Sequence, residues 1–170
     1  MNIGGASAVH LFGGTADKLG AAGQVDEIGK ITAFIKSQKV PAGVAAHALN
    51  AIQVCERAKI DVDFYVKTLH THDYRSAPPP GDTSVLGSYD NSWCTDPDEV
   101  IEFMWTVKKP WIAYKVMAAG AIPPQKAFSY AFEKGADFIL AGIFDWQVAE
   151  DAQIARDAIA NARRTRPWQA

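Results

Sequence analysis

Two lysines in this 170-residue chain stand where an amine could act on a carbonyl group. Lys67 lies in the largely apolar run 62–69, and Lys115 lies in the similar run 111–117. Burial disfavours the protonated form of a lysine, and a second lysine nearby adds to that effect. Because a neutral amine is the nucleophile of Schiff-base chemistry, we predict Lys67 and Lys115 as catalytic residues.

Both runs are predicted to be strands, so successive side chains point to opposite faces. A lysine is poorly suited to a helix-covered face. We therefore expect Tyr65, Lys67 and Lys115 to point to the interior side of the fold, and Ile112 and Tyr114 to meet helices. On neighbouring strands the two lysines would then lie about one or two strand spacings apart.

Histidines near predicted strand ends suggest acid–base or metal chemistry. His47 and His70 are predicted as general acid or base residues, together with Asp145 after the last strand. As an alternative, His47, His70 and His72 could bind a divalent metal, since neutral imidazoles suit Zn²⁺ or Mn²⁺. The Schiff-base interpretation needs no cofactor.

The segment 70–95 is predicted to be a long loop of the kind found at active sites, because it follows a strand and is rich in Gly, Pro, Asp and Ser. It carries Arg75, Tyr89 and Trp93. As a lid, this loop could close over a sugar or phosphate, with Arg75 making a bidentate contact to an anion.

The rest of the chain reads as alternating strands and helices, which predicts an α/β fold with a parallel sheet of about five βα units in a single domain, 1–170. One helix is expected at about 16–38. Asp96, Pro97 and Glu99 predict a helix start, with Asp as the cap. The Arg-rich segment 163–166 is expected at the C-terminus of the last helix.

The last third of the chain resembles the last two units of a (β/α)₈ barrel. Gly120-Ala121-Ile122 and Ala141-Gly142-Ile143 look like the barrel phosphate-binding module. This resemblance implies a partial TIM barrel equivalent to strands 4–8, and substrate or phosphate binding at Gly120, Ala121, Gly142 and Ile143. Pro123 and its neighbour remove two N–H donors there. A flavodoxin-like doubly wound sheet is the competing architecture.

A second resemblance concerns the lysines. Tyr65-Val66-Lys67-Thr68, followed by Lys115 and the turn at 118–122, resembles the class I deoxyribose-phosphate aldolases. The resemblance implies a Schiff-base role for Lys67 and a perturbing role for Lys115. The segments 109–122 and 144–151 also resemble the C-terminal halves of longer, uncharacterised bacterial barrel proteins. This resemblance implies a missing N-terminal half.

Composition excludes some classes of function. The net charge of −2 provides no basic surface for nucleic acid, and no apolar run reaches the roughly 20 residues of a membrane helix. A cytoplasmic location is expected, or export if a signal lies upstream of Met1. A parallel sheet of five units has open edges, so a homo-oligomer or a missing half is expected to cover them.

These observations predict a TIM-barrel-type enzyme that acts on a small carbonyl compound or sugar, phosphorylated or not, by lysine-assisted, aldolase-like lyase chemistry. Two alternatives stay open. One is a metal-dependent sugar isomerase or epimerase that uses the histidines. The other is a non-catalytic barrel fragment or subunit that binds a partner.

Overall fold

The protein was analysed as a computed structural model, which describes residues 5–79, 82, 91–164 and 166–169. Tyr89 of the predicted lid lies outside the described residues. The described elements are, in chain order, β1 (Val9–Leu11), α1 (Gly13–Ala21), α2 (Val25–Ser37), β2 (Ala42–Ala46), α3 (Leu49–Arg57), β3 (Phe64–Thr68), α4 (Pro97–Thr106), β4 (Trp111–Tyr114), α5 (Pro124–Glu133), β5 (Phe138–Leu140) and α6 (Val148–Asn161).

The five strands form one parallel sheet in the order β1-β2-β3-β4-β5. This confirms the predicted α/β fold of five βα units. Each strand pairs with the strand that precedes it in the chain, as consecutive units of a barrel do. The order has no reversal of the kind that defines a flavodoxin-like sheet. The topology therefore favours the partial barrel.

One face of the sheet, which we call the helix face, packs against the helices. Val44, Tyr65, Trp111 and Ala113 belong to a buried cluster that includes side chains from all six helices. The predicted direction of the strand side chains was therefore wrong, since Tyr65 and its neighbour Lys67 share the helix face. Tyr65 donates a hydrogen bond of 2.6 Å to Glu56 Oε1 on α3, which explains how this polar side chain is accommodated.

The opposite face, which we call the open face, carries a small buried cluster that consists of strand residues among those the structure describes. Ala45, Phe64 and Val66 are buried there, with Ile112 and Tyr114 packed against them. The prediction that Ile112 and Tyr114 meet helices was thus also wrong.

Toward β5 the open face is uncovered, because Phe138 and Leu140 are 47% and 48% exposed. At the centre it is tightly packed. A Cβ on Gly43 would lie 2.4 Å from the Phe64 ring, so only glycine fits there.

The helices begin and end where local chemistry dictates. Asp96 accepts a hydrogen bond of 2.9 Å from the Glu99 N–H, and Pro97 opens α4, which confirms the predicted helix start. The helix expected at 16–38 is instead two helices, because Gly23 adopts a φ of +69° between them. No described helix is long and apolar enough to cross a membrane.

The Arg-rich segment does not end the last helix, since α6 stops at Asn161. Arg166 is instead buried, with 1% exposed, and donates to Asp137 Oδ2 at 2.7 Å. Arg164 donates to the other oxygen of Asp137 at 3.1 Å. Arg166 also donates to the carbonyls of Met104, Val107, Lys109 and Gly135. The carbonyl of Val107 precedes β4 and Asp137 precedes β5, so this ion-pair cluster ties the amino ends of two strands together.

Candidate functional site

Lys115 lies at the carboxyl end of β4, immediately after the strand stops at Tyr114. Its backbone is left-handed, with a φ of +57°, and Ala118 and Ala119 are left-handed as well. Non-glycine residues rarely adopt this conformation, and such strain is common at functional sites. The turn ends the strand alternation, so the direction of the Lys115 side chain no longer follows strand parity.

The Lys115 amine lies 3.9 Å from the centroid of the Trp93 ring. Trp93 belongs to the segment that returns from the long loop, so β4 and this loop meet at the amine. Burial lowers the pKa of the Lys115 ammonium from its ordinary value. The side chain is only partly buried. Its amine therefore combines partial desolvation with access to a ligand.

A pocket of about 770 Å³ adjoins Lys115 at the carboxyl ends of β4 and β5. Cavities of this size hold small-molecule ligands. Its polar side chains are few, namely Lys115, Tyr114, Gln147 and Asp151, together with the indole of Trp93. The rest of the wall is apolar or backbone: Val116, Met117, Ala119, Gly120, Ile122, Pro123, Pro124, Leu140, Ala141, Gly142, Ile143 and Phe144.

Lys67 is not part of this pocket. Its side chain is 1% exposed, and its amine donates to the hydroxyl of Thr68 at 2.7 Å and to the Thr68 carbonyl at 3.1 Å. Burial lowers the pKa of Lys67, whereas the pKa of Lys115 is lowered by its own burial and not by Lys67. The predicted pair of mutually perturbing lysines therefore does not form.

His70 and His72 hold the long loop against the end of β3. His70 is buried, and its Nε2 accepts the N–H groups of Trp93 and Cys94 at 3.0 and 3.1 Å. His72 Nε2 lies 2.6 Å from the Cys94 carbonyl. Burial lowers the pKa of His70 to about 4, so the ring is neutral and can accept these bonds. The two histidines thus position Trp93.

His47 forms a pair with Asp17 of α1. Its Nδ1 lies 2.8 Å from Asp17 Oδ2, and the carboxylate also accepts the N–H groups of His47 and Ala48. An acceptor at Nδ1 holds the proton there and leaves Nε2 as the nitrogen that can exchange a proton. The pair is partly exposed, with 19% of the His47 side chain accessible. This arrangement is typical of a general base and the carboxylate that orients it.

Tyr114 connects this pair to the pocket. It lines the pocket, and its ring centroid lies 5.4 Å from that of His47. A Cβ on Gly13 would lie 2.9 Å from the Tyr114 hydroxyl and 3.2 Å from the His47 ring, so glycine makes room for both side chains. Burial raises the pKa of Tyr114, which keeps its hydroxyl protonated as a donor.

Two polar atoms of the pocket residues lack partners. The Tyr114 hydroxyl and Asp151 Oδ2 are buried and make no hydrogen bond to any described residue. Unpaired polar groups are costly in a folded protein, so each calls for an explanation such as a ligand. Both belong to residues that line the pocket next to Lys115.

The predicted metal site has no support among the described residues. Within that part of the chain, no three His, Cys, Asp or Glu side chains come close enough to hold a metal ion. His47 faces Asp17, whereas the rings of His70 and His72 are 5.8 Å apart and bind backbone groups.

The predicted phosphate contacts are only partly placed at the pocket. Gly120, Gly142 and Ile143 line it, but Ala121 does not. The N–H groups of Gly120, Ala121 and Ile122 all bond to carbonyls within their own turn. These three N–H groups are therefore not free to bind a dianion.

Two other predicted site residues lie away from the pocket wall. Arg75 is exposed and does not line the pocket. Asp145 is also exposed, and its carboxylate accepts the N–H of Trp146 at 2.9 Å at the start of a short 3-10 turn. Asp145 has the helix-start role that its position before α6 implies.

Sequence reasoning missed Asp17, Tyr114 and Asp151 as site residues. Asp17 lies 30 residues before His47, and the packing of α1 beside β2 brings the two together. Tyr114 was assigned to the wrong face. Asp151 carried a usable signal, since a carboxylate in the first turn of a helix that follows a strand lies at the end of the sheet where barrels bind ligands.

Comparison with known proteins adds no relative. No protein-family model, curated protein or solved structure matches this chain.

Proposed function

We propose that this protein is an enzyme that acts on a small carbonyl compound through a Schiff base on Lys115. The observation that carries the proposal is the position of this amine, at the edge of a pocket and 3.9 Å from the Trp93 ring, with its pKa lowered by burial. Lys67, the lysine that the aldolase resemblance favours, is enclosed by the core and is not the nucleophile in this proposal.

The Trp93 ring contacts the free amine of Lys115 and would also contact the Schiff-base intermediate formed on it. The face of an indole attracts a cation, and a protonated Schiff base keeps its positive charge on the same nitrogen. Trp93 therefore stabilises the iminium where it forms. This contact opposes part of the effect of burial on the free amine, so Lys115 is a moderately activated nucleophile.

The reaction proceeds in balanced steps. Neutral Nζ of Lys115 attacks the carbonyl carbon, and a proton passes from the nitrogen to the carbonyl oxygen to give a carbinolamine. A second proton releases that oxygen as water and leaves the iminium. The iminium then accepts the electron pair of an adjacent C–H or C–C bond and becomes an enamine. In the first case the proton passes to His47, and in the second the leaving carbon departs as a carbonyl compound after its hydroxyl proton passes to His47.

His47, oriented by Asp17, takes and returns the proton in this proposal, and the Tyr114 hydroxyl donates to the substrate oxygen. Tyr114 suits this role because burial keeps it protonated and its hydroxyl has no other partner among the described residues.

Borohydride reduction tests the proposal, since it converts a Schiff base to a stable amine. Incubation with a panel of short aldehydes and ketones is expected to add one reduced substrate mass to a peptide that contains Lys115. The Lys115→Met variant should give no adduct, and Lys67→Met should react like the wild type. Failure of every carbonyl compound to label Lys115 would exclude this function.

Partner binding is the second candidate function. Its support is the uncovered edge at β5, where Phe138, Leu140, Phe144 and Trp146 are all exposed by 47% or more. We infer that a second copy of the chain covers this edge. Sedimentation velocity of the wild type and of Leu140→Lys tests this. A dimer that the substitution dissociates is expected, and a wild-type monomer at all concentrations would contradict it.

A further inference from the structure

Asp151 gives the pocket a chemical preference that the proposed function leaves open. The residue is 6% exposed, lines the pocket, and has an Oδ2 atom with no hydrogen-bond partner among the described residues. It lies in the first turn of α6, where the helix dipole stabilises negative charge. Leaving a buried acceptor unpaired is costly, so a ligand that donates a hydrogen bond to it would be stabilised.

The same residue makes the pocket unsuitable for a phosphate. A dianion beside a carboxylate is repelled, and in the part of the chain described here Lys115 is the one cationic side chain of the pocket wall. The N–H groups of residues 120–122 donate to carbonyls of their own turn, and the two prolines that follow have no N–H. The remaining wall is mostly apolar, which suits an uncharged molecule.

We propose that the substrate is an uncharged hydroxy-aldehyde or hydroxy-ketone, and that Asp151 accepts a hydrogen bond from its hydroxyl group. This inference rests on the proposed function, because Lys115 must hold the carbonyl carbon while Asp151 binds the hydroxyl. A hydroxyl is favoured over an ammonium group, since a cationic ligand would be repelled by the iminium that forms on Lys115. Asp151 is thus the residue that determines specificity.

The experiment measures the aldehyde concentration that gives half-maximal borohydride labelling of Lys115. Propanal and 3-hydroxypropanal form a pair that differs in one hydroxyl, and glyceraldehyde and glyceraldehyde 3-phosphate form a pair that differs in one phosphate. We expect 3-hydroxypropanal to reach half-maximal labelling at a concentration about 10-fold lower than propanal. One hydrogen bond to a charged group strengthens binding by about this factor. The phosphorylated compound should label more weakly than its parent.

Asp151→Leu should reduce the hydroxyl preference to about the ratio that free lysine shows. Glu150→Leu is the matched control, because Glu150 is exposed in the same helical turn, and it should retain the wild-type ratio. Asp151→Asn provides a second variant of the same shape. It should lose the discrimination against phosphate, which depends on charge.

The outcomes separate the two proposals. Labelling of Lys115 with an unchanged hydroxyl ratio in Asp151→Leu would overturn the role of Asp151 and leave the Schiff base in place. Preference of the wild type for the phosphorylated aldehyde would overturn the proposal that the substrate is uncharged. Absence of any labelling would defeat the proposed function, and this inference with it.

Discussion

The amine of Lys115 lies over the face of Trp93, 3.9 Å from the ring centroid. The two residues come from separate parts of the chain. Trp93 reaches this position because the buried His70 ring accepts its N–H, and Lys115 reaches it because β4 ends in a left-handed turn. The site therefore depends on both the loop attachment and the strand end.

Replacement of Trp93 should weaken the Schiff base more than it weakens the fold. Loss of the cation–π contact in Trp93→Leu is expected to reduce the equilibrium amount of iminium about 3- to 10-fold. Borohydride labelling under limiting aldehyde measures this. Trp93→Phe keeps a ring face and should lie between the wild type and Trp93→Leu. Equal labelling of all three proteins would show that the ring has no such role.

Replacement of Asp17 should slow proton transfer and spare Schiff-base formation. In Asp17→Asn the amide cannot hold the proton on His47 Nδ1 as a carboxylate does, so Nε2 loses its role as base. We expect deuterium exchange at the carbon next to the bound carbonyl to fall about 100-fold, in the range of general base effects. Labelling of Lys115 by borohydride should change little. A parallel loss of both would indicate a structural role instead.

Acid should detach the long loop through His70. The pKa of His70 is about 4 in the folded chain against 6.5 ordinarily, so the unfolded chain binds the proton more readily between these values. Stability is therefore lost as the pH falls from 6.5 toward 4, by about 3 kcal/mol for this group. Trp93 fluorescence and hydrogen exchange of residues 91–94 should report it.

His70→Gln is the matching variant, because its amide oxygen accepts hydrogen bonds without titrating. It should lose most of the acid dependence between those pH values. His10→Gln is the control, since His10 is exposed on β1 and should leave the dependence unchanged. Identical acid profiles for the wild type and His70→Gln would rule out this histidine as the cause.

Lys67 should reduce stability at neutral pH. Lys67→Met fills the same space without a charge, and Thr68 keeps hydrogen bonds to the carbonyls of His47 and Trp93. We expect the variant to be more stable by about 1 to 4 kcal/mol, as for other buried charges replaced by apolar groups. Urea unfolding measures the difference.

The pH dependence of that difference has a definite sign. Because burial lowers the pKa of Lys67 from 10.5, the unfolded chain binds more protons than the folded chain between the folded-state pKa and 10.5. The unfolding free energy of the wild type should therefore rise with pH relative to that of Lys67→Met. The difference between the two proteins should be smaller at about pH 10 than at neutral pH. A gap that widens with pH would contradict this account.

Arg166 should be essential to stability and irrelevant to the pocket. Arg166→Met removes one of the two arginine partners of a buried carboxylate, together with the hydrogen bonds that Arg166 donates to four carbonyls. This loss should cost about 3 to 5 kcal/mol of unfolding free energy. Arg163→Met is the control, because Arg163 is exposed, and should change stability by less than about 0.5 kcal/mol. Chemical denaturation compares the two variants, and a similar small loss in both would refute the prediction.

Much of the fold was predictable because it depends on local chemistry. Alternating apolar runs and turns predicted five βα units, and Asp96 with Pro97 predicted the start of α4. Side-chain direction failed for one reason, namely the assumption that a lysine avoids the helix face. Lys67 remains there because the adjacent Thr68 supplies two acceptors, a contact that no residue pattern indicates.

The candidate site was predictable only in part. Lys115 and His47 could be proposed because their residue types and places at strand ends suit chemistry. The pairing of Asp17 with His47 could not, because it depends on how α1 packs beside β2. The role of His70 as a neutral acceptor for the loop likewise depends on its burial, which is a property of the folded chain.

The order of the strands has a consequence for how the chain assembles. Every strand pairs with the one made just before it, so each new βα unit finds its docking edge already available during synthesis. In many sheets a strand must pair with a segment that is distant in sequence, and this requirement slows folding. Pairing between consecutive strands avoids it. The connection between β3 and β4 is the exception, and the contacts of His70 and His72 with residues 93 and 94 shorten it. We therefore expect this protein to fold vectorially, with one pause at that connection.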